Sequence, residues 1–208
     1  MLPFDVILFD IGGVLLTNSW DVRERAAAAQ HFQLDGAYLE SRHAEIVELW
    51  ERGGMTMGAY LDVAVFDEPR SFSRDEFVTW MLDQSKLLPD SAMNVLRGLA
   101  ASGRYLTGAL NNESRELNEY RMKAFGLRSH FDVALTSCYI GLRKPDLAMY
   151  RRAIDIVGRP PERILFIDDR PENVAGARDA GMVALRYTGS DALRHDLARL
   201  GALEQAAD

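Results

Sequence analysis

The sequence predicts an α/β protein with a doubly wound parallel sheet and an inserted bundle of helices. In the second half of the chain, short apolar segments of strand type alternate with helical segments, which is the pattern of repeated βαβ units. A long stretch lies between the first strand segment and this alternation, and its apolar residues recur every three or four positions. That spacing is typical of helices, so we expect this stretch to fold as a helical bundle.

The first half of the chain supplies one strand and the bundle. The predicted strand covers residues 4–9 and ends at Asp10, just before the glycine pair Gly12 and Gly13. Helices are predicted at 22–32, 38–50, 57–66 and 74–82. We expect the tryptophans of this region to form the core of the bundle; they are Trp20, Trp50 and Trp80. The predicted domains are therefore an α/β core of residues 1–16 and 87–208 and a helical cap of residues 17–86.

The second half supplies the rest of the sheet. A helix is predicted at 90–101, with Asp90 as its N-cap. Strands are predicted at 105–110, 133–136, 164–167 and 182–187, and further helices at 114–125, 147–157 and 171–180. Glycines follow these three helices closely, as expected at helix ends. In such a sheet, ligands bind beyond the carboxyl ends of the strands.

Composition excludes several classes of protein. The chain has 208 residues and is 48% hydrophobic, enough for a substantial core, and its formal charge of −7 opposes binding to nucleic acid or to an anionic membrane. No apolar segment approaches the ~20 residues that span a bilayer, and the first residues carry no basic leader. Cys138 is the only cysteine, so we expect it to be buried and unpaired. These features predict a cytoplasmic protein without nucleic-acid or membrane partners, as a monomer or homodimer.

Polar residues follow four of the predicted strands and would meet at one edge of the sheet. They are Asp10, then Asn111 and Asn112, then Arg143 and Lys144, then Asp168 and Asp169. A single acidic residue after a strand is more often a cap or turn former. Three carboxylates together suit Mg²⁺, and a cation with a lysine can hold a phosphoryl group while an aspartate attacks it. Only three of the 24 basic residues are lysines, which makes Lys144 more informative.

Four segments resemble the motifs of the haloacid dehalogenase-like hydrolase superfamily. They are residues 9–15 (FDIGGVL), Asn111 with Asn112, residues 141–146 (GLRKPD) with Tyr150, and residues 166–177 (FIDDRPENVAGA). Their order and spacing, and the helical insertion after the first motif, match over nearly the whole chain. The resemblance is to the branch that includes sugar-phosphate phosphatases and the phosphatase domain of epoxide hydrolases.

The resemblance implies a role for each matching residue. The Mg²⁺ ligands would be Asp10, the Gly12 carbonyl and Asp169, and Asp10 would also be the nucleophile. Asp168 would either bind the metal as well or adjust the site through contacts with the metal ligands. Catalysis would involve Asp10, Asn111, Asn112 and Lys144, and substrate binding would involve Gly12, Gly13, Arg52 and Asn112. Arg52 lies in residues 51–56, which resemble the specificity loop of the cap, although a glycine-centred loop between helices is usually only a turn.

Two positions depart from the family pattern. Gly12 stands where most phosphatases of the family carry a second aspartate, the general acid and base, although some that act on sugar phosphates have glycine there. Without that acid, the rate should depend steeply on the leaving group unless another residue, His43 or Glu51 of the cap, supplies the proton. Asn111 stands where the family has serine or threonine, and its amide can also donate to a phosphoryl oxygen.

The sequence thus predicts a Mg²⁺-dependent phosphatase that acts on a small phosphorylated metabolite through an aspartyl-phosphate. One alternative is a 2-haloacid dehalogenase, since a leaving halide needs no proton and Gly12 would then be harmless. The paired Asp168 and Asp169 argue against it, because the dehalogenase branch lacks this metal-binding pair. The other alternative is a non-catalytic member that kept the fold as a binding module.

Overall fold

The sheet of the protein has five strands, all parallel. The computed structural model describes residues 3–203, and the strands are β1 (Val6–Phe9), β2 (Leu106–Asn111), β3 (Val133–Thr136), β4 (Ile164–Asp168) and β5 (Val183–Arg186), in the order β3-β2-β1-β4-β5. β1 lies at the centre, where Val6 pairs with Leu106 on one side and Ile164 on the other. Every residue of β1 is buried, which explains its continuous apolar sequence.

Four helices follow β1 and form the cap. They are α1 (Val22–His31), α2 (Gly36–Glu51), α3 (Met57–Ala64) and α4 (Arg74–Leu82). Capping boxes start two of them, with Asp21 and Glu24 at α1 and Ser73 and Glu76 at α4. Trp20 and Trp50 are buried in the apolar cluster between these helices, and the half-buried Trp80 packs against it. The expected tryptophan-containing core is therefore present.

The chain crosses between core and cap at two adjacent places. The Thr17 amide donates to the Lys86 carbonyl at 2.8 Å, and Leu16 and Leu87 form an antiparallel bridge. These contacts support the predicted cap of residues 17–86, whose limits stay a prediction. Within residues 3–203, no helix has both the length and the apolar character needed to cross a bilayer.

Helices cover both faces of the sheet. They are α5 (Met93–Ser102), α6 (Arg115–Ala124), the one-turn α7 (Ser137–Ile140), α8 (Leu147–Val157), α9 (Pro171–Asp179) and α10 (Ser190–Arg199), with short 3₁₀ turns at Leu127–His130 and Pro161–Arg163. Ile7 and Phe9 of β1 face the cluster that includes α5 and α10. Val6 and Leu8 face α8 and α9. The predicted doubly wound architecture is confirmed.

This half differs from the sequence prediction at the start of α5, at α10 and at the one-turn α7, which matches no predicted helix. Asp90 is not an N-cap: α5 begins at Met93, the Ser91 hydroxyl accepts from the Met93 amide, and the Asp90 carbonyl accepts a hydrogen bond from Tyr187. Helix α10 was not predicted, although Leu193 and Leu197 are buried one turn apart. Cys138 is buried and unpaired, as expected.

Candidate active site

Three carboxylates meet where β1 and β4 end. Asp10, Asp168 and Asp169 each offer an oxygen, and these oxygens lie within 4.8 Å of one another. The Lys144 ammonium lies among them, 2.9 Å from Asp10 Oδ1 and 2.6 Å from Asp168 Oδ2. β1 and β4 are neighbours in a parallel sheet, so their carboxyl ends bring the three aspartates together, and Lys144 reaches them from the loop between α7 and α8. The sequence prediction placed all four residues at this edge.

The two oxygens of Asp10 have different surroundings. Oδ1 accepts from the Ile11 amide at 2.8 Å and from Lys144. Oδ2 makes no hydrogen bond to any residue of the described chain and stays accessible from the cavity above. Burial and the charge of Asp168 raise the pKa of Asp10, while Lys144 lowers it. The carboxylate is therefore held by one oxygen and presents the other.

The adjacent carboxylates of Asp168 and Asp169 are not equivalent. Asp168 Oδ1 accepts from the Arg170 amide at 2.8 Å and from Asn173 Nδ2 at 3.0 Å, and Oδ2 accepts from Lys144 and, at 3.0 Å, from Asn173. Asp169 Oδ1 is buried, yet it has no hydrogen-bond partner within residues 3–203. Of the two roles left open for Asp168, these contacts favour the supporting one.

The site fits a hard divalent cation. The unpartnered Asp169 oxygen requires a counter-charge, because a buried acceptor without a partner costs free energy. Gly13 lies against this carboxylate with φ +71°, and a Cβ there would stand only 2.2 Å from Asp169 Oδ2. Only glycine allows this approach. Carboxylate oxygens with room for water are the donors that Mg²⁺ takes.

Lys144 is held through its backbone as well as through its ammonium. The Lys144 amide donates to Asn112 Oδ1, and Asn112 Nδ2 donates to the Lys144 carbonyl, both at 2.8 Å. Burial alone lowers the pKa of Lys144, but Asp10 and Asp168 outweigh it and the net shift is upward. The lysine therefore stays charged. Asn112 lines the cavity and positions the lysine, which the sequence did not reveal.

Two other residues expected in the site make different contacts. Asn111 Oδ1 accepts from the Thr136 hydroxyl at 2.9 Å, its Nδ2 donates to Asn118, and it lies outside the cavity wall as residues 3–203 define it. The Gly13 amide donates to the Leu16 carbonyl. The catalytic role of Asn111 and the substrate-binding role of Gly13 remain predictions that these contacts do not support.

Arg52 also points elsewhere. Its Nη2 lies 2.7 Å from Glu48 and 2.9 Å from Asp146, so it pairs with two carboxylates, and it is absent from the cavity wall formed by the described residues. Its expected contact with substrate is thus unsupported. The neighbouring Glu51 does reach the cavity, where Arg143 lies 3.1 Å from Glu51 Oε2.

Asp10 opens into a cavity of about 300 Å³ between core and cap, whereas Asp168 and Asp169 lie outside its wall as the described residues define it. Asp10, Gly12, Asn112 and Lys144 belong to the core side of its wall. The cap contributes Trp20, Asp21, Arg25, His43, Val47, Trp50 and Glu51. Arg121 of the core also lines it, buried, donating to Glu113 Oε2 and to the Thr17 carbonyl, each at 2.6 Å. Sequence reasoning missed Arg25 and Arg121, since arginines usually lie at the surface.

The position of the missing acid is occupied by another side chain. A Cβ at Gly12 would lie 2.6 Å from Asn18 Oδ1, so an aspartate there would displace Asn18. His43 and Glu51 are the two candidates for the missing proton donor. Burial and the charge of Arg25 lower the pKa of His43 to about 4. Burial raises the pKa of Glu51. The directions of the two pKa shifts favour Glu51 over His43 as the proton donor.

Comparisons with known proteins show the family to which the chain belongs. The family model described as haloacid dehalogenase-like hydrolase matches residues 4–181. Drimenol cyclase drtB of Aspergillus calidoustus is 26% identical over 197 residues, and bifunctional epoxide hydrolase 2 of Sus scrofa is 24% identical over 211. Each alignment covers 93% of this chain but only 36% and 38% of those proteins, so the chain spans little more than a third of their length.

Relatives of similar length are also found. Phosphoglycolate phosphatase of Aquifex aeolicus is 24% identical, with 85% of this chain and 81% of that protein aligned. The solved structure of HAD family enzyme bt-2542 from Bacteroides thetaiotaomicron superposes with a TM-score of 0.78 at 18% identity, covering 93% of this chain and 98% of that one. A complex of that enzyme with magnesium and inorganic phosphate superposes with a TM-score of 0.71. With the family model matched over most of its length, this chain belongs to the haloacid dehalogenase-like hydrolases.

Proposed function

We propose that the protein is a Mg²⁺-dependent phosphatase that hydrolyses a small phosphorylated metabolite through an aspartyl-phosphate on Asp10. The observation that carries this proposal is the Asp10 carboxylate, which is held by one oxygen and lines a cavity between core and cap together with Lys144. The unpartnered, buried oxygen of Asp169 lies close by. The magnesium and phosphate found with the structural relative support the same assignment.

Mg²⁺ would be held by Asp10, Asp169 and the Gly12 carbonyl, and when bound it supplies positive charge opposite the oxygens of the transferring phosphoryl group. Asp168 keeps a different task in this proposal. Three of its hydrogen bonds, from the Arg170 amide and Asn173, orient the Asp168 carboxylate. The fourth holds the Lys144 ammonium beside Asp10, so that a second positive charge faces the same phosphoryl group.

Asp10 Oδ2 is the accessible oxygen and acts as the nucleophile. It forms a bond to phosphorus while the bond from phosphorus to the ester oxygen breaks, and the ester oxygen leaves with that electron pair. Water then attacks the phosphorus of the acyl phosphate and gives a proton to the Glu51 carboxylate formed in the first step. The bond between phosphorus and Asp10 Oδ2 breaks with its electron pair going to the oxygen, which releases inorganic phosphate and restores the Asp10 carboxylate. Lys144 stays charged throughout and keeps Oδ1 in place.

The leaving oxygen needs a proton, and Glu51 is the group we place in that role. Burial raises its pKa, so it carries a proton at higher pH than an ordinary glutamate. After it gives up the proton, its carboxylate faces Arg143, whose guanidinium at 3.1 Å stabilises the charge. His43 cannot serve in this way, because an imidazole with a pKa of about 4 is neutral at neutral pH.

A 2-haloacid dehalogenase remains the second candidate. It would use Asp10 as nucleophile on carbon and would need neither a proton donor nor a metal. The unpartnered Asp169 oxygen favours the phosphatase, because a metal-free reaction leaves that buried acceptor without a counter-charge.

The test is phosphate release from p-nitrophenyl phosphate with Mg²⁺. Wild-type protein and the matched control Asp155→Asn, an exposed aspartate on α8, are expected to be active. Asp10→Asn, and wild type after exhaustive chelation, are expected to fall to background. Phosphate release that survives either treatment would contradict the proposal, and chloride release from 2-chloropropionate with chelator present would establish the dehalogenase instead.

A further inference from the structure

Three side chains of the cap form a hydrogen-bonded series that ends at the cavity. The Trp20 indole Nε1 donates to the Tyr60 hydroxyl at 2.8 Å, and the same hydroxyl lies 2.8 Å from Nδ1 of His43. Tyr60 is completely buried and its ring stacks on Trp50 with centroids 4.0 Å apart. The hydroxyl is therefore fixed in place and shielded from water.

Counting protons in this series fixes the tautomer of His43. An indole N–H can only donate, so the Tyr60 oxygen is the acceptor toward Trp20. The proton of the Tyr60 hydroxyl then needs an acceptor of its own, and His43 Nδ1 is the one that the described residues offer. A proton on Nδ1 would leave the buried hydroxyl without an acceptor, which is costly. The ring proton of His43 therefore resides on Nε2.

His43 lines the cavity, and its Nδ1 is taken up by Tyr60. Its Nε2 makes no hydrogen bond within residues 3–203 and is not sealed off from solvent, so it is the ring nitrogen available to a molecule in the cavity. The nearby cation Arg25 already donates to both oxygens of Glu40 and to the Trp20 carbonyl. With the pKa of His43 lowered to about 4, the ring is neutral. The cap thus presents an uncharged N–H donor.

We infer that His43 Nε2 selects the organic part of the substrate: it favours phosphate esters that carry a hydroxyl or carbonyl oxygen at the cap end of the cavity and rejects those with an alkyl group there. This inference rests on the proposed function, which places the phosphoryl group at the opposite, core end beside Lys144. An alkyl group would cover the N–H without accepting from it, and sites built to hydrogen-bond a substrate reject analogues that lack the partner. Tyr60 and Trp20 are positioning residues for the donor.

The first arm of the test needs no activity. Nitrogen-15 NMR of labelled protein at pH 7 is expected to show His43 with Nε2 protonated and Nδ1 unprotonated, with the signals assigned by their loss in His43→Asn. Tyr60→Phe removes the hydroxyl and is expected to mix the two tautomers. Tyr38→Phe, which removes a hydroxyl bonded to Asp67 on the cap surface, is the matched control and should change nothing. A proton found on Nδ1 in wild type would overturn the inference.

The second arm compares glucose 6-phosphate with cyclohexylmethyl phosphate, two primary esters of similar ring size with and without oxygens. Wild type is expected to prefer the first in kcat/KM by at least about tenfold. His43→Gln, whose amide nitrogen lies near the position of Nε2, should retain the preference, and His43→Asn, which is too short, should lose it. Equal rates in wild type, no turnover of either ester, or equal loss in both variants would overturn the inference.

The two proposals fail separately. Hydrolysis of p-nitrophenyl phosphate by wild type that depends on Asp10 and Mg²⁺ establishes the phosphatase, whatever His43 does. If that activity is absent the proposed function fails, while the NMR arm still shows whether Tyr60 fixes the tautomer of His43.

Discussion

Replacing Lys144 with methionine should destabilise the protein strongly when no metal ion is present. The ammonium is about 1% exposed and lies 2.9 Å from Asp10 and 2.6 Å from Asp168. At an effective dielectric constant of about 20, each contact provides roughly 6 kcal/mol of attraction. Burial of the ammonium offsets part of this, and removing one partner of a buried ion pair costs about 3–5 kcal/mol. For a chain of this size, that is a drop in Tm of roughly 6–20 °C.

The stability lost in Lys144→Met should depend on pH and on bound metal. The pKa of Asp10 is raised in the folded protein, so the stability linked to it is present at acid pH and is lost as pH rises through the folded-state pKa. Without Lys144 this upward shift increases, so the gap between Lys144→Met and wild type should widen from pH 5 to pH 8. Mg²⁺ should reduce this difference in stability, because its charge replaces that of the missing ammonium.

Urea unfolding followed by circular dichroism measures these differences, at two pH values and with chelator or with Mg²⁺. Lys123→Met, at the end of α6 and exposed, is the matched control and should stay close to wild type. If Lys144→Met lies within about 1 kcal/mol of wild type at pH 8 with chelator, the cluster is not held by this lysine and the electrostatic reasoning is refuted.

Two further predictions concern glycine and the proton donor. Gly13→Ala and Gly103→Ala both place a side chain at positive φ, which costs about 1–2 kcal/mol of stability. Only the Gly13 side chain would meet Asp169, so calorimetry should show that Gly13→Ala alone loses Mg²⁺ binding. Equal Mg²⁺ affinity in the two variants would contradict the close approach of Gly13 to Asp169. Glu51→Gln should reduce kcat for alkyl phosphates by about 10²-fold or more and for p-nitrophenyl phosphate much less, because the better leaving group needs no proton. Exposed Glu48→Gln is the control, and a uniform loss across both esters would exclude Glu51 as the acid.

The sequence predicted helices and strands well where buried apolar residues recur at a regular spacing. The five strands and most helices could be located from apolar spacing, because each buries one face against the sheet or within the bundle. Helix α7 spans only one turn, too short for a period to show. Helix α10 did carry a signal in Leu193 and Leu197, which was missed. The start of α5 was misplaced because Ser91, not Asp90, bonds the first free amide.

The candidate site was predictable where it depends on strand ends. Asp10, Asp168 and Asp169 meet because parallel strands finish at one edge, and Lys144 reaches them from the loop between α7 and α8. What the cap contributes could not be read from the sequence, because it depends on how the bundle docks on the core. Arg52 pairs with carboxylates instead of entering the cavity, for example.

Similarly, no local pattern shows that Tyr60, 17 residues after His43, determines which nitrogen of that histidine carries its proton. The distinction between Asp168 and Asp169 arises in the same way, because Asn173 in the first turn of α9 donates to both oxygens of Asp168. Side-chain pairing of this kind is set by tertiary contacts, which residue spacing does not encode.

The paired crossings at Leu16–Leu87 and Thr17–Lys86 have a consequence for how such a protein can change over evolution. The chain enters the bundle and returns from it at adjacent positions, so the bundle is a single insertion in the α/β core. It can lengthen, shrink or be exchanged for another without shifting any strand. New preferences for the organic part of a substrate can therefore be acquired in one portion of the gene while the residues that break the bond are inherited unaltered in another.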